Sequence, residues 1–113
     1  MDNNCKNCEC LCYEMIAARK SEEHWKAWEK PYQMMKAMHF ENRIKLVKSN
    51  CSFENFIEEI GTETQYTYDI TLQCSSCGRI FRIGICVKGT PVYEIDGQRL
   101  EKSTVITDFN QDS

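Results

Sequence analysis

The spacing of apolar positions changes part-way along the chain. Before residue 62 it is helical; from Tyr66 onward apolar and polar residues alternate. Residues 13–30 are rich in helix formers, with Met15, Ile16, Ala17 and Ala18 in one run and Trp25 and Trp28 three apart on one face. The two tryptophans read as core or as anchors for a partner. Ser21 is placed to cap a fresh helix, Glu22 and Lys26 to pair at i, i+4, and Pro31 to break the helix or open a new one. Met34, Met35 and Met38 continue on one side as adaptable core residues. Residues 43–48 read as a helix tail or a strand. The clearest helix spans 52–61, with Ser52 as N-cap, Glu54 in the first turn and Gly61 as the stop. Its Phe53, Phe56, Ile57 and Ile60 fall at i, i+3, i+4 and i+7, a face for a core.

The second half predicts a small antiparallel sheet. Tyr66, Tyr68, Ile70 and Leu72 share one face of a strand, and 79–87 is β-branched and apolar, as a more deeply buried strand would be. Between them lies Cys74-Ser75-Ser76-Cys77-Gly78, a tight turn in which Gly78 lets the chain fold back and is free to take φ > 0. Residues 88–91 form a turn and Val92-Tyr93-Glu94-Ile95 a third strand. Asp96-Gly97 makes a hairpin turn into a fourth strand over 98–102. The tail, 103–113, is polar and frayed apart from Val105, Ile106 and Phe109. The expectation is one α+β domain over 1–113, N-terminal helices followed by a small antiparallel sheet with a zinc knuckle in a hairpin.

Composition adds little until the cysteines are counted. At 42% hydrophobic and 27% charged, the chain is an ordinary folded protein with no apolar run long enough to span a membrane. The start of the sequence shows no export signal, so the expected location is the cytoplasm, where thiols stay reduced. Eight cysteines then read as metal ligands plus a few buried thiols. Four of them crowd residues 5–12, and Cys5-Lys6-Asn7-Cys8 is a second Cys-x-x-Cys. The candidate ligands of one structural Zn2+ are Cys5, Cys8, Cys74 and Cys77, with Cys10 or Cys12 able to stand in at the N-terminus. Cys51 and Cys86 read as buried small hydrophobes.

Charge is divided along the chain. Residues 1–50 carry nine Lys/Arg against seven Asp/Glu, whereas 51–113 carry five against ten. Between Ser49 and Gly78 no basic residue occurs, while Glu54, Glu58, Glu59, Glu63 and Asp69 do. Such a face suits a basic protein surface and repels nucleic acid. It also serves simply to keep a protein soluble.

Catalytic readings find little support. A thioredoxin-like pair needs its first cysteine at a helix N-terminus, and here a strand-like run follows. No phosphate loop or His-Glu-x-x-His helix is present. His39-Phe40-Glu41 supplies the His-x-Glu of the zinc deaminases, but Gln73 stands where their proline precedes the Cys-x-x-Cys. An all-cysteine zinc has no open coordination position, so the chain is expected not to be an enzyme.

The run Cys74-Ser75-Ser76-Cys77-Gly78-Arg79 resembles the knuckle of zinc-ribbon proteins. The short acidic chain, with helices before a small sheet and a Cys-x-x-Cys-Gly hairpin, is similar to small bacterial immunity proteins that neutralise secreted or contact-dependent toxins. That resemblance implies an inhibitor that binds a toxin domain. Its partner-facing residues would be Glu54, Glu58, Glu59, Glu63 and Asp69, with Tyr66 and Tyr68. The alternative is a zinc-ribbon nucleic-acid or transcription-associated module using Arg19, Lys20, Lys26, Lys30, Lys36, Arg43, Lys45 and Lys48.

Overall fold

A computed structural model describes residues 5–105. The elements run α1 (Glu9–Lys20), α2 (His24–Ala27), α3 (Glu29–Phe40), β1 (Ile44–Ser49), α4 (Phe56–Thr62), β2 (Thr67–Cys74), β3 (Ile80–Cys86), β4 (Val92–Ile95) and β5 (Gln98–Arg99). The fold is α+β, with five strands in the order β1-β2-β3-β4-β5, every neighbouring pair antiparallel. Of the expected tail, 106–113 lies outside the described residues; Thr104 is buried and its hydroxyl accepts from the Glu101 amide at 2.8 Å.

The alternation in β2 puts Tyr68, Ile70, Leu72 and Cys74 on the inner face and Thr67, Asp69, Thr71 and Gln73 on the outer one. The inner residues join Phe81, Ile83 and Ile85 of β3, Tyr93 and Ile95 of β4, and Leu11, Met15, Tyr32 and Met35 of α1 and α3 in one core. Helices cover this face of the sheet. Tyr66, expected on the same face, lies one residue before β2 and is 68% exposed.

Four local expectations change. Residues 43–48 are resolved as an edge strand: Ile44 pairs with Cys74, and the register shifts between Leu46 and Lys48. The first strand therefore precedes the last helix. The strand over 80–86 is not buried on both faces, because Arg82 lies outward and bridges Asp69 and Glu94. Gly84 is buried under that bridge, where a Cβ would come within 2.7 Å of the Asp69 carboxylate. Cys51 and Cys86 are only half-buried.

The fourth change concerns helix starts. Ser21 ends α1 in extended conformation, and its hydroxyl accepts from the Glu23 amide at 3.1 Å. Lys26 pairs with Glu23, not Glu22, at 3.2 Å. Helix α4 starts at Phe56: the Ser52 hydroxyl accepts from the Asn55 amide at 3.2 Å, as a cap would, but the Tyr32 hydroxyl takes up the backbone that follows. It donates to the Phe53 carbonyl at 2.5 Å and accepts from the Phe56 amide at 3.3 Å. The helix runs one residue past Gly61, and Glu63 closes it at φ 50°. Tyr32, Trp28, Phe53 and Phe56 then form an aromatic cluster with ring centroids 5.1–6.2 Å apart.

Candidate metal centre

The two Cys-x-x-Cys segments meet at one corner of the sheet. The first wraps into the start of α1: the Cys5 carbonyl accepts from the Cys8 amide at 3.1 Å and the Glu9 amide at 2.8 Å. The second closes β2 onto β3, with the Cys74 amide donating to the Arg79 carbonyl at 2.8 Å and the Gly78 amide to the Cys74 carbonyl at 3.0 Å. Gly78 takes φ +81°, the left-handed conformation that a Cβ would strain. Each turn presents two sulfurs to the other.

The Sγ atoms of Cys5, Cys8, Cys74 and Cys77 all lie within 4.8 Å of one another. Cys5 is 3.7 Å from Cys74, and Cys8 is 3.7 Å from Cys77. The cysteines are free thiols, and these separations are far beyond a disulfide bond of about 2.05 Å. A tetrahedron of sulfurs around a cation at about 2.3 Å has edges of about 3.8 Å. The set can therefore hold a metal ion.

The surroundings fit thiolate ligands. Cys74 Sγ accepts from Asn7 Nδ2 at 3.2 Å and from the Ser76 amide at 3.4 Å. Burial raises its thiol, but the Cys77 amide, Asn7 and the Ser76 amide outweigh that and bring it down to about 6. Cys8 moves the other way, pushed upward by its contact with Cys12, by burial and by the Cys77 and Cys74 sulfurs. Four crowded thiols repel one another when ionised, and a divalent cation makes their joint deprotonation favourable. Cys77 is the exposed member of the set, and Cys8 and Cys74 are buried.

Two residues hold the turns together: Asn7, which sequence reasoning passed over, and Arg43, which it read as a basic residue of the nucleic-acid alternative. Asn7, between the first two cysteines, donates to the Arg43 carbonyl at 2.8 Å. Arg43 returns two bonds, Nε to Asn7 Oδ1 at 2.9 Å and Nη2 to the Asn7 carbonyl at 2.8 Å. The Ser75 amide also donates to the Arg43 carbonyl at 3.1 Å, so β1, the N-terminal turn and the β2–β3 turn are tied at one point. No spacing rule links Asn7 with Arg43. Their partnership exists only once β1 pairs with β2.

The possible substitute cysteines are distinguished by position. Cys10 is exposed on α1 and Cys12 is buried, and neither belongs to the four-sulfur set. Cys12 lies against it, its thiol brought down to about 7 by contact with Cys8, against burial, and by Arg79, whose Nη1 donates at 3.4 Å. His39, of the His-x-Glu coincidence, instead faces Phe53 at 5.2 Å and Glu54 at 3.8 Å.

The expected partner face is smaller than the sequence suggested. Glu54, Glu58, Glu63 and Tyr66 are exposed. Tyr68 is a correction: it is fully buried, with its hydroxyl accepting from the Gln65 amide at 3.0 Å, because the alternation of β2 turns it into the core. Asp69 is bound to Arg82, and a Glu59 carboxylate oxygen accepts from the Ser52 amide at 3.3 Å. Among the described residues no helix is long and apolar enough to cross a membrane. No match was found between the chain and any protein-family model, curated protein or solved structure.

Proposed function

We propose that the four cysteines hold a structural zinc ion in a knuckle, and that the domain it braces is a cytosolic protein-binding module. The observation that carries the metal reading is the pair of 3.7 Å sulfur separations within a set spanning no more than 4.8 Å. An all-sulfur, closed set is the ligand chemistry of structural zinc, and it leaves no coordination position for a substrate. The ion fixes the N-terminus to the β2–β3 turn. Metal analysis of protein purified under reducing conditions tests this: one zinc per chain is expected, lost in Cys74→Ser.

The partner reading rests on the exposure of Glu54, Glu58 and Glu63 and of the Tyr66 ring, all within residues 54–66. Exposed charge of one sign together with an exposed aromatic ring suits a basic protein surface, and an inhibitor of toxin type is the function proposed for it. Photo-crosslinkers at positions 58 and 66, with one at Lys45 as control, test the face in its native cell. A basic protein captured from 58 and 66, and released when Glu54, Glu58 and Glu63 are changed to Lys, is the expected result. Equal capture from position 45 would overturn it, and salt-sensitive retention of nucleic acid would favour the ribbon alternative.

A further inference from the structure

Helix α1 carries Cys8 at one end and Arg19 near the other, roughly 16 Å apart along the axis. Two hollows adjoin at this far end, sharing His24, Thr90 and Pro91 as walls. One, of about 490 Å³, is lined by Arg19, Arg99 and Lys102 with the hydroxyl-bearing Ser21 and Thr90. The other, of about 470 Å³, is lined by Trp25, Trp28, Ile85 and Val87. Both lie within the roughly 300–1,000 Å³ of small-molecule sites.

One cation of the basic hollow is held in place by the fold. Arg19 is half-buried; its Nε donates to the Leu100 carbonyl at 3.1 Å, and its Nη2 lies 3.5 Å from Glu101. Arg99 pairs in register with Glu94, but that carboxylate is taken by Arg82 at 2.9 Å. Among the described residues neither Arg99 nor Lys102 has an ion-pair partner. Glu22 is the carboxylate of the lining. With Arg19 paired to Glu101, Arg99 and Lys102 are left as the two cations of this hollow whose charge no ion pair offsets among the described residues.

We propose that the paired hollows bind a small phosphate ester carrying an aromatic ring, a ligand of the mononucleotide class. The two unpaired cations Arg99 and Lys102, with the hydroxyls of Ser21 and Thr90, match the double charge and the several terminal oxygens of a phosphate better than a singly charged carboxylate. Trp25 is 63% exposed at the lip of the apolar hollow, and offers a face on which a planar ring stacks. Glu22 lines one hollow, and Glu63 with Lys88 the other, so no unbroken row of cations runs across the two for a longer phosphodiester backbone to follow. The ligand is therefore a single nucleotide unit, not a nucleic-acid strand. This site does not depend on the partner reading.

The test is calorimetric titration of AMP, adenosine and inorganic phosphate into the zinc-loaded protein at low salt. AMP is expected to bind at least about tenfold more tightly than either fragment, a difference of about 1.4 kcal/mol or more. Combined Arg99→Glu and Lys102→Glu should weaken AMP about tenfold or more while leaving adenosine unchanged. Trp25→Ala should weaken AMP and leave phosphate unchanged. These three positions are exposed, and metal content with far-UV circular dichroism verifies their fold. No AMP binding, AMP no tighter than adenosine, or equal AMP affinity in the charge-reversed protein would overturn the proposal.

Discussion

The same inner face of the sheet is closed by two different kinds of chemistry. At the Cys74 end of β2, sulfurs from two distant turns converge, each turn held by Asn7 and Arg43. Against α4, Trp28, Tyr32, Phe53 and Phe56 pack ring against ring, and the Tyr32 hydroxyl takes up backbone groups of the chain entering the helix. The aromatic corner is stabilised by burial and needs nothing but the chain. The sulfur corner gathers groups that resist ionising together, so on the zinc reading proposed above its stability depends on a cation and on pH. A domain of this size can thus be rigid at both corners while only one responds to solution conditions.

The largest effect should come from removing the metal. Chelation, or Cys74→Ser, is expected to cost upwards of about 5 kcal/mol, since structural zinc binds with about 10 kcal/mol or more. Denaturant titration with and without chelator measures it. Because thiolates must lose protons to bind metal, this contribution is present at neutral pH and falls as pH falls. An unchanged midpoint on mild acidification would erase the contrast between the corners. Next comes Phe56→Ala, expected to cost about 3–5 kcal/mol through the cavity it leaves, with the zinc still bound. Loss of metal in that variant would mean that the two corners fold as one unit.

Tyr32→Phe keeps the ring and removes only the hydroxyl, leaving the Phe53 carbonyl and the Phe56 amide short of a partner. A loss of about 1–2 kcal/mol is expected, read from the denaturant midpoint, with faster amide exchange at the start of α4. The smallest effect separates ligands from bystanders at the sulfur corner. Cys10→Ser should alter stability by no more than about 0.5 kcal/mol and leave the metal count at one. A lost zinc in that variant would redraw the ligand set.

Local rules made much of this readable in advance. The alternation of 67–74 placed Ile70 and Leu72 inside, the Asp-Gly turn at 96–97 appears with positive φ at both residues, and Gly78 takes the left-handed turn its position requires. Each of these follows from a period or a steric limit within a few residues. The start of α4 was misread even though Ser52 makes a capping bond, to the Asn55 amide. The competing hydroxyl comes from Tyr32, twenty-one residues before the Phe53 carbonyl it binds. Tyr66 and Tyr68 share parity, yet only Tyr68 lies within the strand that turns it inward.

The sequence by itself determined which sulfurs could act in pairs, because two cysteines three apart on a turn must face the same way. It also determined the two hydrophobic periods, and with them an α+β chain. Only the tertiary structure decided that Cys5 and Cys8, and not Cys10 or Cys12, meet Cys74 and Cys77. That choice depends on where α1 begins and how it crosses the sheet. The Asn7–Arg43 clasp and the cavity joining Arg19 with Arg99 and Lys102 were decided in the same way. Contacts between residues dozens of positions apart are fixed by how whole elements pack, and no local pattern encodes that distance.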